Sequence, residues 1–188
     1  MTTPPVDHHT LPYRIAVLCY LYDHRDRVLL LHRRQDPNCG MYSPVGGKLE
    51  VTRGESPHRC AVREIREETG INLPDDLVRL TGIVSEAAYE CENHWLIFLF
   101  EVMRPVAHHE ITRMDFDEGT LQWVDKNDVP NLPIPLTDRQ IMWPLTQQHR
   151  GGFFVVHIEC SIEPLRWKLH ESVKPQQPNT HTPRRAGP

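Results

Sequence analysis

The chain has 188 residues, a formal charge of −4 and 39% hydrophobic residues, enough apolar material for one domain with a substantial core. It has no basic excess of the kind that marks a nucleic-acid surface, and no apolar run near the roughly 20 residues a membrane helix needs, so neither a nucleic-acid polymer nor a membrane is expected as a partner. The N-terminus does not read as a signal peptide, and the five cysteines (Cys19, Cys39, Cys60, Cys91, Cys160) are scattered without a CxxC pair; a cytoplasmic location is expected, and a zinc centre is not.

Residues 1–10 are polar with two prolines and are expected to be a flexible N-terminus ahead of a folded domain over residues 11–171. Residues 15–22 are a continuous apolar run rich in β-formers and residues 28–31 are a second; the polar stretch between them predicts a hairpin. Residues 32–42 read as a loop leading to Gly46 and Gly47. Ser56 as N-cap, Pro57 at the first helical position and Gly70 as an αL C-cap then delimit a helix. Within it Ala61, Val62 and Ile65 form an apolar stripe. Glu64, Glu67 and Glu68 fall at i, i+3 and i+4 and share another stripe, while Arg59, Arg63 and Arg66 group on the remaining side.

Residues 83–88 and 95–102 read as strands, residues 105–117 as irregular, and residues 121–124 as a short strand. Thr137 and Gln140 form a capping box that opens a second helix, ended by Gly151 and Gly152, with Pro144 predicting a kink or a late start. Residues 153–158 and 164–170 read as a closing pair of strands, and residues 172–188 as a disordered C-terminal tail. Strands on both sides of a central helix, with another helix late in the chain, predict the α/β class: a mixed β-sheet with helices packed on it.

The acidic stripe of the first helix needs an explanation. Three carboxylates in the last turns repel one another and oppose the helix dipole, and Glu64 with Glu68 alone costs a few tenths of a kcal/mol. A hard divalent cation such as Mg²⁺ or Mn²⁺ would reverse that sign. A solvated acidic face is the simpler reading of the helix by itself.

The run Gly47…Glu55…Arg63-Glu64-Ile65-Arg66-Glu67-Glu68-Thr69-Gly70-Ile71 resembles the Nudix box, signature of the Nudix hydrolases. From Glu55 onward the pattern E-x7-R-E-U-x-E-E-x-G-U, with U aliphatic, is matched at every position. The loop from Gly47 to Glu55 holds seven intervening residues where the family usually has five, an insertion that costs little in a surface loop. The resemblance implies the Nudix fold, a mixed β-sheet sandwiched between helices (α/β/α). It implies that Glu64, Glu67 and Glu68 bind Mg²⁺, with Mn²⁺ as a substitute and the Gly46 carbonyl as a further ligand. Glu55 would pair with Arg63 and hold the loop on the helix, and Gly47 and Gly70 would be structural.

Asp117, Glu118 and Gly119, followed by Leu121, Gln122 and Trp123, resemble the loop from which Nudix enzymes draw one more carboxylate. Glu118 is favoured over Asp117 for that part; a plain turn residue is the alternative. The implied reaction is hydrolysis of a nucleoside diphosphate linked to another group: the metal neutralises phosphate oxygens and activates a water, and a carboxylate takes its proton. Glu64, Glu67 and Glu118 all remain open as that base. Lys48 is either a phosphate contact or an ordinary exposed lysine.

Residues 140–156, with Trp143, Pro144 and Leu145 and then Gly152, Phe153 and Phe154, resemble the C-terminal helix and strand of the vertebrate MutT-like enzymes that hydrolyse oxidised purine nucleoside triphosphates. Ser43 stands where those enzymes carry a base-reading asparagine, and no tryptophan precedes Asp138 where a base-stacking one is expected. Asp138 is either the surviving base contact or an early-helix acid stabilised by the dipole. The expected substrate is a purine nucleoside triphosphate, oxidised or not, cleaved to monophosphate and pyrophosphate by a monomer or homodimer. ADP-ribose or a dinucleotide is the alternative substrate. An isopentenyl diphosphate isomerase would need a cysteine and glutamate pair that is not seen here, and a non-catalytic binding module usually loses box carboxylates that this chain keeps. The pairs His8, His9 and His108, His109 are expected to be solvated loop residues.

Overall fold

The structure, a computed structural model, describes residues 10–36 and 38–175. Nearly all of the expected N-terminal segment, His8 and His9, and the tail beyond residue 175 lie outside the described residues.

The first two apolar runs become β1 (Tyr13–Tyr20) and β2 (Arg27–Arg33). They alternate between two cores: Val17, Cys19, Leu29 and Leu31 enter one, and Tyr20, Val28 and Leu30 enter the other. A strand buried on both faces reads as a continuous apolar run, which is why these stretches show no polar alternation. The expected hairpin between them is only partly formed. A tight turn does join them, bridged at Tyr22 and Val28 and fastened by Asp23, whose carboxylate accepts from the Arg25 and Arg27 amides at 2.8 and 2.9 Å. Beyond that bridge the strands part into different sheets, because each finds longer partners elsewhere.

β3 (Tyr42–Pro44) follows, inside what the sequence predicts as loop and the approach to the glycine pair, and then α1 (Pro57–Thr69). β4 (Val78–Tyr89) and β5 (Asn93–Val102) form a hairpin, and β6 (Asp115–Phe116) and β7 (Gly119–Asp125) form a second. The helix α2 (Trp143–Gln148) is followed by β8 (Phe153–Glu159) and β9 (Arg166–Val173); β9 runs two residues past the boundary expected at 171.

The strands make two sheets, not one. One is mixed, in the order β1-β5-β4-β8-β9; the other is antiparallel, in the order β3-β2-β7-β6. α1 buries Cys60, Ala61 and Ile65 in the core on one side, and α2 buries Trp143 and Leu145 in the core on the other. The result is an α/β/α sandwich in which both sheets contribute to the middle layer.

The expected capping box at Thr137 does not form. Thr137 is itself in the αR region with no capping side-chain bond, and helical backbone begins one residue earlier, at Leu136. A π-helical turn (Asp138–Met142) precedes α2. Pro144 cannot donate a backbone hydrogen bond, and widening the turn before it accommodates that loss. His108 also departs from expectation: its ring stacks on Trp123 at 5.0 Å and meets the buried Asp23 carboxylate at 2.9 Å.

Candidate active site

α1 begins and ends as its sequence dictates. The Ser56 hydroxyl accepts from the Arg59 amide at 3.3 Å, and Gly70, in the αL conformation at φ 80°, donates to the Arg66 carbonyl at 2.9 Å. With Ala61 and Ile65 fixed inward, the helix presents Glu64, Glu67 and Glu68 along one flank. The preceding loop is pressed onto that flank at Gly47, where a Cβ would overlap the Glu64 carboxylate. The longer loop between Gly47 and Glu55 folds as a 3-10 turn over Val51–Arg53.

Arg63 organises the acids. Its Nε and Nη2 donate to the two oxygens of Glu55 at 2.8 and 2.9 Å, a fork that lysine could not reproduce. Its Nη1 reaches Glu64 at 2.7 Å and Glu67 at 3.1 Å. The guanidinium holds the Glu55 carboxyl at about 2, well below its ordinary value. Glu55 also accepts from the Glu50 amide at 2.8 Å, so one ion pair ties the loop to the helix.

Glu68 has no such partner. It is 4% exposed, its Oε1 accepts a long bond from the Gly46 amide at 3.4 Å, and its Oε2 has no hydrogen-bond partner. Burial, and then the charge of Glu64, push its carboxyl up to about 8. Burial raises Glu64 as well, against the opposing pull of Arg63. Glu118, fifty residues along the chain, is brought to the same cleft wall by the β6–β7 turn; its charge adds to the repulsion on both. Pairing with β1 uses the Val45 and Gly47 carbonyls at 2.7 and 2.9 Å and leaves that of Gly46 unclaimed by it. Glu67 stands at the rim with its side chain 50% exposed.

Of these groups Gly46, Gly47, Glu64 and Glu118 line one end of a cavity of about 420 Å³ that crosses from the α1 layer to the α2 layer. The other end is walled by Trp95, Ile97 and Tyr89 and contains Ser43, Thr137 and Asp138. Ser43 lies on β3 opposite Leu31, its hydroxyl buried without a partner. Here too is Glu86, a residue that the sequence gives no reason to single out: strand position and apolar neighbours read as an ordinary outward-facing acid. It is 3% exposed, takes a hydrogen bond from the Thr137 hydroxyl, and keeps Oε1 without a partner. Burial raises both Glu86 and Asp138 to about 7, and the charge of Glu86 adds to the shift of Asp138.

The NUDIX domain family model matches residues 12–147. The chain belongs to the Nudix hydrolases. It is 35% identical over 119 residues to an uncharacterized Nudix hydrolase, YvcI, of Bacillus subtilis, an alignment covering 62% of this chain and 70% of the relative. It is 27% identical to an RNA pyrophosphohydrolase of Sphingopyxis alaskensis, covering 69% and 89%. Among solved structures, a MutT protein from Bacillus halodurans superimposes with a TM-score of 0.66 at 27% identity, covering 84% of this chain and 97% of that one.

Nudix hydrolases generally use divalent cations, and the donor set at the box end of the cleft suits one. Among the described residues no three His, Cys, Asp or Glu side chains are arranged so that they could hold a metal ion as they stand. What they do form is a group of hard oxygen donors, with the buried Oε2 of Glu68 unpartnered and Glu64, Glu68 and Glu118 repelling one another. A bound cation would relieve that repulsion.

Proposed function

We propose that the chain is a Mg²⁺-dependent pyrophosphohydrolase that cleaves a purine nucleoside triphosphate to the monophosphate and pyrophosphate. The observation that carries this reading is the polarity of this cleft, with carboxylates at one end and a largely apolar end containing Asp138. That spacing of functions suits a nucleotide with its phosphates on the acids and its base among the aromatic walls.

Glu64, Glu67 and Glu68, with the Gly46 carbonyl and Glu118, hold the metal in this reading. Bound there, Mg²⁺ (or Mn²⁺) neutralises phosphate charge and makes a water more acidic. The protein's own part is positioning. Arg63 and Glu55 fix the loop against α1, and Gly47 lets the loop approach Glu64 closely. Lys48, exposed on the cleft wall, places a positive charge where phosphate oxygens arrive. Glu64 and Glu118 line the cavity and are positioned to accept the proton of an attacking water. Glu67, shared with Arg63 at the rim, contributes charge from outside it. Asp138 reads the base edge by hydrogen bonding, so a base that leaves it unpaired is rejected.

Relatives carry several substrate names. Alongside the RNA pyrophosphohydrolases are a putative 8-oxo-dGTP diphosphatase of Mycobacterium tuberculosis and an ADP-ribose pyrophosphatase of Methanocaldococcus jannaschii, each 30% identical over part of the chain. The deciding experiment compares turnover with Mg²⁺ on ordinary and 8-oxo purine triphosphates, ADP-ribose, dinucleoside polyphosphates, NADH and a 5′-triphosphate RNA. The reading expects a purine triphosphate to have the highest kcat/KM. Inert triphosphates beside rapid cleavage of ADP-ribose, a dinucleotide or RNA ends would overturn it.

A further inference from the structure

The apolar end of the cleft is built on paired residues of one hairpin. Glu86 of β4 stands opposite Trp95 of β5, and Val84 opposite Ile97, so all four project from one face of the mixed sheet. Val84 and Ile97 belong to the core around α2, and Trp95 packs against that core while staying partly exposed on the cleft wall. An indole supported by the core and open to a cavity is a flat apolar surface with little freedom left to lose on binding. The ammonium of Lys48 lies 6.0 Å from its ring centroid, and Lys48 directly follows the glycine that touches Glu64. The ring is therefore one side-chain length from the box. Asp138 lines the same cavity, close enough to Glu86 to feel its charge.

We propose that Trp95 is the stacking platform for the substrate's nucleobase, a specificity-determining residue supplied by β5 in place of an aromatic ahead of Asp138. This rests on the reading of the cleft as a nucleotide site. A base lying on Trp95 has its edge toward the Asp138 wall, and its 5′ phosphates run past Lys48 to the carboxylates. Stacking accepts any base because every base has a π-face. Trp95 thus supplies affinity in general, and Asp138 supplies the choice among bases.

Two variants and two readouts test it. Trp95→Phe keeps an aromatic face; Trp95→Leu keeps apolar volume without one. Loss of stacking should raise KM for a purine triphosphate roughly tenfold or more in Trp95→Leu, with kcat changed less and Trp95→Phe near wild type. Independently of turnover, a nucleoside monophosphate titrated in EDTA should quench the intrinsic fluorescence of the wild type, whereas ribose 5-phosphate should not. That quenching should vanish in Trp95→Phe, although three of the four tryptophans remain, and this arm decides the matter if Trp95→Leu fails to fold. Unchanged KM in Trp95→Leu, or quenching that persists in Trp95→Phe, overturns the platform and leaves the nucleotide reading standing. A wild-type protein that cleaves no nucleoside triphosphate overturns both.

Discussion

The two ends of the cleft bury acids under different terms. At the box end Glu55, Glu64 and Glu67 share the guanidinium of Arg63, and Glu68 is left with a long bond from one amide and an unpartnered oxygen. At the far end Glu86 has a single hydroxyl partner and Asp138 lies beside it among apolar walls. Burial raises carboxyls at both ends, but only the box end also crowds several acids around one arginine. At the first end Glu64 and Glu68, both raised and repelling one another, gain most from positive charge brought beside them; at the second Glu86 and Asp138, raised to about 7, can as neutral carboxyls hydrogen-bond a base. In the proposed reading the first end meets the phosphates with a cation, and the second holds the base by stacking and directed hydrogen bonds.

The largest expected effects lie at the box end. If Glu67 and Glu68 hold the metal as proposed, Glu68→Gln or Glu67→Gln should lower kcat by roughly 10²–10⁴-fold, several kcal/mol of transition-state stabilisation. Circular dichroism should show the fold intact. Near wild-type kcat at saturating Mg²⁺ would contradict the metal assignment of these acids.

Asp138→Ala should act differently, raising KM for the preferred purine triphosphate about 10- to 100-fold while other bases change little and kcat falls less. Equal losses for all bases in steady-state kinetics would make Asp138 a structural acid of the π-helical turn.

Glu86 tests the same contrast through stability. Its carboxyl and that of Asp138 titrate at about 7 in the folded protein, against about 4 in an unfolded chain. Protons are thus bound more tightly by the folded state, and the stability they contribute is complete below about pH 4 and lost as pH rises to about 7. Glu55 runs the opposite way: held at about 2, it stabilises above about pH 4.5 and that contribution is lost as pH falls through about 2. Glu86→Gln should flatten the decline between pH 4 and 7 and stabilise the metal-free protein at pH 8 by about 1–3 kcal/mol. Thermal melts of both proteins across that range check it; an unchanged slope would mean that Glu86 is ionised in the fold.

The smallest effect concerns Arg63→Lys, which keeps the charge and loses the fork to Glu55. It should cost about 1–2 kcal/mol, lowering Tm by roughly 2–8 °C. KM for the base-specific contacts should not move, and a shift in base preference would show that the two ends are coupled.

How much of this was legible in the sequence depends on how local each feature is. α1 was legible to its caps, because Ser56, Pro57 and Gly70 act within a few residues of themselves. The division into two sheets was not, since parallel pairing of β1 with β5 and of β4 with β8 is set by distant partners. Thr137 carried a capping signature, but its hydroxyl serves Glu86, some fifty residues earlier, and helical backbone starts before it. Glu118 could be anticipated from the acid-glycine turn before a strand, although its approach to Glu64 is a product of the fold. Glu86 and Trp95 were invisible as a pair because only the β4–β5 register places them side by side.

The most direct measurement is ³¹P NMR of a purine nucleoside triphosphate incubated with the protein and Mg²⁺. Nucleoside monophosphate and pyrophosphate should appear together in equal amounts, and both should fail to appear with Glu68→Gln or with the metal chelated. Release of orthophosphate and nucleoside diphosphate, or turnover that survives either change, would contradict the account.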